Sequence, residues 1–464
     1  MIDLPFLDGQ VAAVMGLGRS GLSAAQALAR SGARVWAWDD NAESRAKAEA
    51  KGVALVDLAA CDWNRPALLV WSPGIPHTWP QPHPVAEAAR AHGRPIVCDV
   101  DLLLQARPRV PNVAITGTNG KSTTTALIGH ILAQAGRRVA VGGNLGTPAL
   151  DLEALDDDGI YVLELSSYQL ELVPSAGFGV SILLNITPDH LGRHGGMDGY
   201  IAAKRRIFET QAKPGLAVIA IDDEPCRRIQ AELLGLGRSV TAVSAQGFVK
   251  GGVSVVGGTL IDDSEGREAA ILDLGRLPTL PGQHNWQNAA AAYAAARAFG
   301  LQAQTIAAGI ASYPGLAHRQ ERVAALDGIL FVNDSKATNA DAAEKALGCY
   351  DTVYWIAGGL AKEGGIDSLA PLFGRIRHAF LIGQAAPAFA RTLAAHHVAH
   401  SLVGDLGGAT RAAYALARAE GKPGAVVLLA PACASWDQFK SFEERGERFR
   451  LLVNDLLLAK EARA

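Results

Sequence analysis

Short apolar runs alternate with helical patterns along most of the chain, and a polar or glycine-rich loop follows nearly every run. The run from Val113 to Ile115 lies at the centre of this pattern, because it leads through a turn with two glycines into apolar residues that recur at helical spacing as far as Gly136. Alternating strands and helices are typical of a parallel sheet covered by helices. The pattern therefore predicts an α/β fold.

We expect three α/β domains. Residues 1–100 form a Rossmann-like N-terminal domain, since a short strand from Gln10 to Met15 leads into a glycine-rich turn, a helix and a second strand. Residues 101–316 form the central domain, in which the stretch from Phe248 to Leu274 alternates apolar and polar residues, as short antiparallel strands do. Residues 317–464 repeat the pattern of a strand followed by a polar loop, which predicts a Rossmann-like C-terminal domain.

The turn from Gly117 to Thr123 has the composition of a phosphate-binding loop. Its glycines allow backbone amides to approach a ligand closely, and Lys121 adds a positive charge at a helix start, where unpaired N–H groups already favour an anion. Common P-loops carry a glycine six residues before the lysine, and this position is Ile115 here, so the loop is a shortened variant. A turn without a ligand is the alternative. We interpret the central domain as a P-loop-type mononucleotide-binding ATPase domain.

Polar side chains follow other strands of the same domain. Asn144, Glu164, Asp189 and His190 each come shortly after an apolar run. Because the carboxyl ends of parallel strands meet at one edge of a sheet, these side chains could lie near Lys121. An isolated acid or histidine of this kind is often exposed or structural, and that alternative stays open on spacing alone.

Composition and charge exclude several classes of protein. The composition, with 49% hydrophobic and 19% charged residues, is typical of a globular protein. No apolar stretch has membrane-spanning length, so we expect no membrane insertion. A net charge of −3 does not suggest nucleic acid as a partner. The five cysteines are scattered without a CxxC pair, which argues against a disulfide framework and a cysteine-rich zinc site. Asp3 and Asp8 are unlike a secretory signal, so we expect a cytoplasmic protein.

The first glycine-rich turn leaves its ligand open. Gly16, Gly18 and Gly21 have the spacing of a dinucleotide fingerprint, and an acidic residue, Asp39, follows about twenty positions further on. This pattern alone is weak evidence for NAD. Another nucleotide or phosphate ligand is the preferred interpretation.

A series of motifs then occurs in a single order along nearly the whole chain. They are TGTNGKST, GGNLG, ELSSYQLE, NITPDHLGRH, AAKRRIF, LPGQHNWQNAAAA, AHRQERV, VNDSKATN and APACASWDQFKSFEERG. Together they resemble the Mur ligase family, and ELSSYQLE, NDSKATN and ACASWDQF resemble its D-glutamate-adding branch. By this resemblance, the first domain binds a uridine nucleotide rather than NAD.

The resemblance implies an ATP-dependent ligase of cytoplasmic peptidoglycan precursor synthesis. Such an enzyme adds D-glutamate to UDP-N-acetylmuramoyl-L-alanine through an acyl phosphate and releases ADP and phosphate. It implies ATP and two Mg²⁺ ions as cofactors, and we expect a monomer. A sibling ligase with another amino acid and a non-catalytic nucleotide-binding protein are the alternatives.

The resemblance also implies roles for individual residues. Lys121, His190, Lys204 and Lys336 form the catalytic set. Ser122 and Glu164 bind one Mg²⁺, while His190 and Lys204, the latter carbamylated, bind the other. The residues for ATP are Gly117, Thr118, Asn119, Gly120, Lys121, Ser122, Thr123, Asn285, Arg319 and Asp334.

The remaining implied contacts are with the acid and amine substrates. Those for the uridine end are Leu17, Ser20, Asp39 and Ser72, and those for the muramoyl group and its peptide are Asn144 and Gln169. Those for D-glutamate are Thr338, Lys362, Ser435 and Phe442. Because the ATP residues lie in two domains, we expect domain closure about a hinge near Pro314 to Ala317.

Overall fold

The computed structural model describes residues 1–175, 177–209, 211–361 and 365–461, with the backbone alone described for residues 211–214 and 461. Within these residues the chain forms three α/β sheets of four, nine and six strands. It divides into two compact units. The first unit is Met1–Leu274 with Asn285–Tyr313, and the second is Gly275–His284 with the chain from Pro314 onward.

The first sheet is wholly parallel and belongs to the first unit. Its strands are β1 (Val11–Met15), β2 (Arg34–Trp38), β3 (Pro66–Trp71) and β4 (Ile96–Val97), in the order β2-β1-β3-β4. The helices of this region are α1 (Arg19–Arg30), α2 (Ala42–Glu49), α3 (Pro84–Ala91) and α4 (Asp99–Ala106). A Cβ on Gly21 would lie 1.7 Å from the carbonyl oxygen of Gly16, so only glycine lets α1 start this close to β1.

The second sheet has a parallel part and an antiparallel end. Its strands are β5 (Asn112–Thr116), β6 (Val139–Gly143), β7 (Ile160–Glu164), β8 (Phe178–Leu183), β9 (Gln211–Ala220), β10 (Ser239–Ser244), β11 (Val253–Val256), β12 (Thr259–Asp262) and β13 (Ala269–Asp273). Their order is β13-β12-β11-β10-β9-β8-β5-β7-β6, and the β11-β12-β13 pairs are antiparallel. The antiparallel strands predicted between Phe248 and Leu274 are thus confirmed.

Helices lie between strands of the second sheet and after its last strand in the chain. They are α5 (Lys121–Gln134), α6 (Ser167–Leu170), α7 (Leu191–His194), α8 (Met197–Glu209), α9 (Glu224–Gly235), α10 (Gln283–Ala298) and α11 (Ala303–Ala311). One apolar core joins the first two sheets, and the backbone N–H of Cys98 donates to the carbonyl of Leu172 across them. The first two sheets therefore share one packed body.

The third sheet lies in the second unit. Its strands are β14 (Glu321–Leu326), β15 (Ile329–Asn333), β16 (Thr352–Gly358), β17 (Ile376–Ile382), β18 (His400–Gly404) and β19 (Ala425–Leu429), in the order β14-β15-β19-β16-β17-β18. Only the β14-β15 pair is antiparallel among these described strands. The helices are α12 (Ala340–Leu347), α13 (Ala386–Ala395), α14 (Leu406–Glu420) and α15 (Phe442–Glu461).

The predicted α/β class and the run-and-loop strands are confirmed by these sheets. The division between the units at Pro314 coincides with the start of the predicted hinge, while the motion itself and the three domain boundaries stay predictions. No helix among the described residues is long and apolar enough to span a membrane.

Candidate functional site

The glycine turn after β5 is held in a fixed shape by hydrogen bonds to Asn185, which lies just after β8. The N–H of Asn119 donates to Asn185 Oδ1 at 2.8 Å, and Asn185 Nδ2 donates back to the carbonyl of Asn119 at 3.1 Å. Gly120 has a φ of +84°, and a Cβ there would lie 2.3 Å from Asn288 Oδ1. This position therefore accepts glycine alone, at the turn that leads directly into the first residues of α5.

Two lysines converge on one carbonyl of this turn. Lys121 Nζ and Lys204 Nζ each donate to the carbonyl oxygen of Gly117 at 2.8 Å, and Lys121 also donates to that of Thr118 at 2.8 Å. Burial holds the pKa of Lys204 well below its ordinary value, and the nearby charge of Lys121 is the second cause of this shift. Lys121 thus brings a positive charge to the turn, where phosphate oxygens would be attracted.

Glu164 ends β7 next to the same turn. Asn144 Nδ2 donates to Glu164 Oε1 at 2.6 Å, while Glu164 Oε2 is buried without a hydrogen-bond partner among the described residues. A buried carboxylate oxygen with no partner is costly unless a cation or donor reaches it. Its hard oxygen suits Mg²⁺.

A metal here would need more than acidic and histidine side chains. Within the part of the chain that the structure describes, no group of three or more His, Cys, Asp or Glu residues could hold a metal ion by itself. Ser122 is buried in the first turn of α5 and can add a hydroxyl, whereas Thr123 is only half-buried. Phosphate oxygens or a carbamate on Lys204 would complete such a site.

His190 lies between two tyrosine rings. Its centroid is 5.2 Å from that of Tyr168 and 6.4 Å from that of Tyr200, and its Nε2 is 3.5 Å from Asp189 Oδ2. Its φ of +53° lies in the left-handed region, which is unusual for a residue with a side chain. The side chain is 43% exposed, so a ligand can reach it.

A cleft of about 300 Å³ brings together predicted substrate residues from the first two sheets. Arg19, Ser20, Ser72, Asn144, Tyr168 and Gln169 are among the residues that line it. Gln169 also closes a capping box with Ser166 at the start of α6, which fixes its side chain. Ser20, Ser72, Asn144 and Gln169 are therefore neighbours, as their shared implied role requires. Arg19 and Tyr168 were not predicted, although each flanks a chosen residue.

Leu17 and Asp39 have a different environment from these four. The N–H of Leu17 donates to Asp39 Oδ2 at 2.6 Å, and the N–H of Asn41 donates to Asp39 Oδ1 at 2.8 Å. Both carboxylate oxygens thus hold the glycine turn and the start of α2. Neither Leu17 nor Asp39 is among the described residues that line the cleft.

The second unit has its own cluster of predicted residues. Lys336 Nζ lies 3.8 Å from the ring centroid of Phe442, a cation–π contact, and the N–H of Thr338 donates to the carbonyl of Lys336 at 2.8 Å. Ser435 is buried, as are Cys433 and Ala434, which precede it in the chain. Lys362 lies outside the described residues.

A buried arginine, which the motifs did not single out, joins the loops of this cluster. Arg445 donates to the hydroxyl and carbonyl of Ser335 at 2.9 and 2.8 Å, and to the carbonyls of Cys433 and Ala434 at 3.1 and 3.4 Å. Burial lowers the pKa of Arg445 to about 10. The loops that carry Lys336 and Ser435 therefore depend on one guanidinium.

Two predicted ATP residues of the second unit also interact. Burial raises the pKa of Asp334 to about 7, against the opposing effect of the Arg319 charge. Asn285, in the first unit, is buried and accepts from Asn288 Nδ2 at 3.2 Å, and Asn288 is the residue that faces Gly120.

Comparisons with known proteins agree along the whole chain. A family model for the Mur ligase middle domain matches residues 115–296. A Rhodospirillum rubrum protein named UDP-N-acetylmuramoylalanine–D-glutamate ligase is 60% identical over 462 residues, which cover 98% of this chain and 97% of that protein. A Caulobacter vibrioides protein of the same name is 51% identical, with 98% of each chain covered.

Solved structures resemble the chain in fold. UDP-N-acetylmuramate-alanine ligase from Thermotoga maritima has a TM-score of 0.59 at 17% identity and covers 96% of this chain and 99% of its own. A pseudomurein peptide ligase type C from Methanothermus fervidus has a TM-score of 0.56 at 16% identity and covers 97% of this chain and 100% of its own.

Proposed function

The chain belongs to the Mur ligase family and, within it, to the UDP-N-acetylmuramoylalanine–D-glutamate ligases, and from this premise we propose that it joins UDP-N-acetylmuramoyl-L-alanine to D-glutamate with conversion of ATP to ADP and phosphate. It acts in the cytoplasm, as a monomer, in peptidoglycan precursor synthesis. The observation that carries the proposal is the Asn144–Glu164 hydrogen bond, because it links the substrate cleft directly to the edge that holds the phosphate turn.

The reaction has two displacements. An oxygen of the L-alanyl carboxylate attacks the γ-phosphorus, and the bond from that phosphorus to ADP breaks, which leaves an acyl phosphate. The amine of D-glutamate then attacks the acyl carbon, loses a proton, and the C–O bond to phosphate breaks. A carboxylate is a poor electrophile, so phosphorylation supplies the leaving group that amide formation needs.

Residues of the first unit bring the two anions together. Lys121 turns from the carbonyl of Gly117 to the β- and γ-phosphates, and the amides of residues 117–123 surround them. Ser20 and Ser72 contact the uridine nucleotide, and Asn144 and Gln169 contact the muramoyl peptide, because all four line one cleft. Leu17 and Asp39 support the uridine end by shaping the first glycine turn.

Magnesium fits the donors at this edge. Ser122 and Glu164 would hold one ion and His190 and Lys204 the other, and the buried, unpartnered Oε2 of Glu164 supports this assignment. When bound, the ions neutralise charge on the phosphates and the attacking carboxylate. Lys204 offers an oxygen to Mg²⁺ only when its amine is carbamylated. Its lowered pKa favours the neutral amine that reacts with CO₂.

Residues of the second unit bind the remaining groups. Arg319 and Asp334 contact ATP, as the family resemblance implies for these two residues. Lys336 contacts the transferred phosphoryl group. Thr338, Lys362, Ser435 and Phe442 bind D-glutamate, whose two carboxylates require a cationic pocket.

A coupled assay tests the function. Phosphate release is measured with ATP, UDP-N-acetylmuramoyl-L-alanine and D-glutamate, each omitted in turn, for the parent and for Lys121→Met. We expect release only with all three substrates and a loss of at least about 100-fold in the variant, since the lysine charge is lost where phosphate charge develops. Lys47→Met, at an exposed lysine paired with Glu43, is the control. Binding of ATP without turnover in the complete mixture would instead indicate a nucleotide-binding protein.

A further inference from the structure

A chain of hydrogen bonds connects helix α3 of the first sheet to the rings around His190. Arg90 Nη2 lies 2.8 Å from His77 Nδ1, His77 Nε2 lies 3.0 Å from Glu171 Oε2, and Glu171 Oε1 lies 3.1 Å from His194 Nδ1. His194 Nε2 then lies 3.0 Å from Ser167 Oγ. All these residues belong to the first unit.

The chemistry of the partners sets the direction of each bond. Arginine can only donate, so His77 Nδ1 accepts from Arg90, and His77 carries its proton on Nε2 and donates it to Glu171. Although burial alone would raise it, the pKa of Glu171 falls to about 2 because His194 and His77 donate hydrogen bonds to its carboxylate. Glu171 is therefore an acceptor only, and His194 carries a proton on Nδ1.

His194 contacts both rings that flank His190. Its ring is stacked on Tyr168, with centroids 5.4 Å apart and an interplanar angle of 27°, and lies 5.5 Å from the ring of Tyr200. Its side chain is 1% exposed. Because Tyr168 and Tyr200 are the ring neighbours of His190, the orientation of His194 determines the space that His190 occupies.

Tyr200 extends the same support to the phosphate turn. Its hydroxyl lies 3.1 Å from Thr118 Oγ1, and its ring centroid lies 4.7 Å from Lys204 Nζ. Close packing fixes the backbone here, since a Cβ on Gly199 would lie 1.8 Å from the carbonyl oxygen of His194. A change at His194 therefore reaches Thr118, His190 and Lys204 through a single side chain.

We propose that His194 is a positioning residue for His190 and Tyr200, and that Arg90 and His77 hold it in place through Glu171. This inference rests on the proposed function, in which His190 and Lys204 would hold a Mg²⁺ ion beside the phosphates. It adds that the domain which binds the uridine nucleotide takes part in ordering the phosphate side of the site. Arg193 supports the arrangement, because its guanidinium lies 5.1 Å from the Tyr168 ring centroid and 3.7 Å from Glu171.

Two pairs of variants separate positioning from simple stabilisation. His194→Leu removes both hydrogen bonds and the aromatic stack, and His194→Asn restores a donor at the Nδ1 position. His77→Leu removes the donor to Glu171, and His77→Gln restores it, because the glutamine amide nitrogen reaches the position of Nε2. His130→Leu is the matched control, since His130 also hydrogen-bonds a serine, Ser312, and contacts a tyrosine ring, Tyr313.

The kinetic readout is the dependence of turnover on Mg²⁺ and on each substrate. We expect His194→Leu to lower kcat about 10-fold and to raise the half-saturating Mg²⁺ concentration, as loss of a partner that orients a ligand does, with the KM for D-glutamate unchanged. His77→Leu changes the same quantities in the same direction, and His77→Gln returns them towards the parent. A kcat and Mg²⁺ dependence of His194→Leu equal to those of the parent would overturn the proposal.

A readout without turnover keeps the two proposals distinguishable. Histidine-ring ¹⁵N spectra of the free protein report the tautomer of His77 and the environment of His190. We expect a protonated Nε2 on His77, and a shifted His190 signal in His194→Leu and His77→Leu but not in His130→Leu. A His190 signal that is the same in all variants contradicts the positioning role. If the two variants show these shifts but the parent protein makes no amide, the proposed function is contradicted instead.

Discussion

Replacing Arg445 by methionine perturbs the second unit at a defined point. Methionine fills the path of the arginine stem but donates no hydrogen bonds, so the carbonyls of Ser335 and Cys433 lose the donor that Arg445 supplies. The Ser335 hydroxyl still donates to the carbonyl of Phe442, and the carbonyl of Ala434 still accepts from the N–H of Leu360. Each buried polar group left without a partner costs about 1–3 kcal/mol. The cost of burying a guanidinium, several kcal/mol, is removed at the same time.

The balance still favours the native arginine. The two bonds to Ser335, at 2.9 and 2.8 Å, are short and charge-assisted, while those to Cys433 and Ala434 are longer. We expect a net loss of about 2–3 kcal/mol, which corresponds to a fall in Tm of about 4–12 °C for a domain of this size. Because the loosened loops carry Lys336 and Ser435, the KM for D-glutamate is expected to rise about 10-fold, or about 1.4 kcal/mol.

Calorimetry, hydrogen exchange and kinetics test this expectation together. Faster exchange in peptides covering residues 333–338 and 430–436 would locate the change in the two loops. Arg448→Met is the control, because Arg448 is exposed on the same helix. The reasoning fails if Arg445→Met keeps the parent Tm, exchange rates and KM for D-glutamate, or if the KM for the uridine nucleotide, which we propose that the first unit binds, rises by the same factor.

Three further predictions follow from single residues. The folded pKa of Glu171, about 2, lies below its ordinary value of 4.5, so its carboxylate contributes about 3 kcal/mol above pH 4.5 and loses this contribution as pH falls towards 2. Urea unfolding should show Glu171→Gln less stable than the parent at pH 7, with the difference shrinking below pH 4.5, and a difference independent of pH would contradict the assignment. The folded pKa of Asp334, about 7, lies above its ordinary value of 3.8, so the parent loses stability as pH rises through 7, and Asp334→Asn is expected to be more stable than the parent at pH 8 but not at pH 4. Equilibration with ¹³C-bicarbonate is expected to give a carbamate NMR signal from Lys204 that Lys204→Arg lacks, and an unchanged spectrum in that variant would place the carbamate elsewhere.

Local sequence patterns were sufficient for most of the fold and for the phosphate turn. The strands β5, β7 and β19 are buried apolar runs. The residues after β5 and β7 lie at one edge of the second sheet because these two strands are parallel neighbours. Strand β18 was not predicted, because His400–Gly404 is a mostly exposed edge strand without an apolar run. Strand β10 lies inside its sheet, but it begins with exposed and half-buried positions and mixes polar with apolar residues, so no apolar run marks it.

Contacts between distant residues were the part that local patterns could not supply. His77 and Glu171 are 94 residues apart, and Arg445 and Ser335 are 110 apart, so no spacing rule relates them. Asp39 shows the opposite case, because its position after β2 is typical of a ribose contact, yet its carboxylate holds backbone amides of Leu17 and Asn41. Motif resemblance predicts substrate contacts at Ser20, Ser72, Asn144 and Gln169, and these four residues line one cleft.

A matrix of phosphate-release assays tests the central claim most directly. ATP and UDP-N-acetylmuramoyl-L-alanine are combined in turn with D-glutamate, L-glutamate, L-lysine and meso-diaminopimelate, and the product of each reaction is identified by mass. The account predicts rapid release with D-glutamate alone and one new amide for each phosphate. Equal or faster turnover with L-lysine or meso-diaminopimelate, or phosphate release without an amide product, would contradict it.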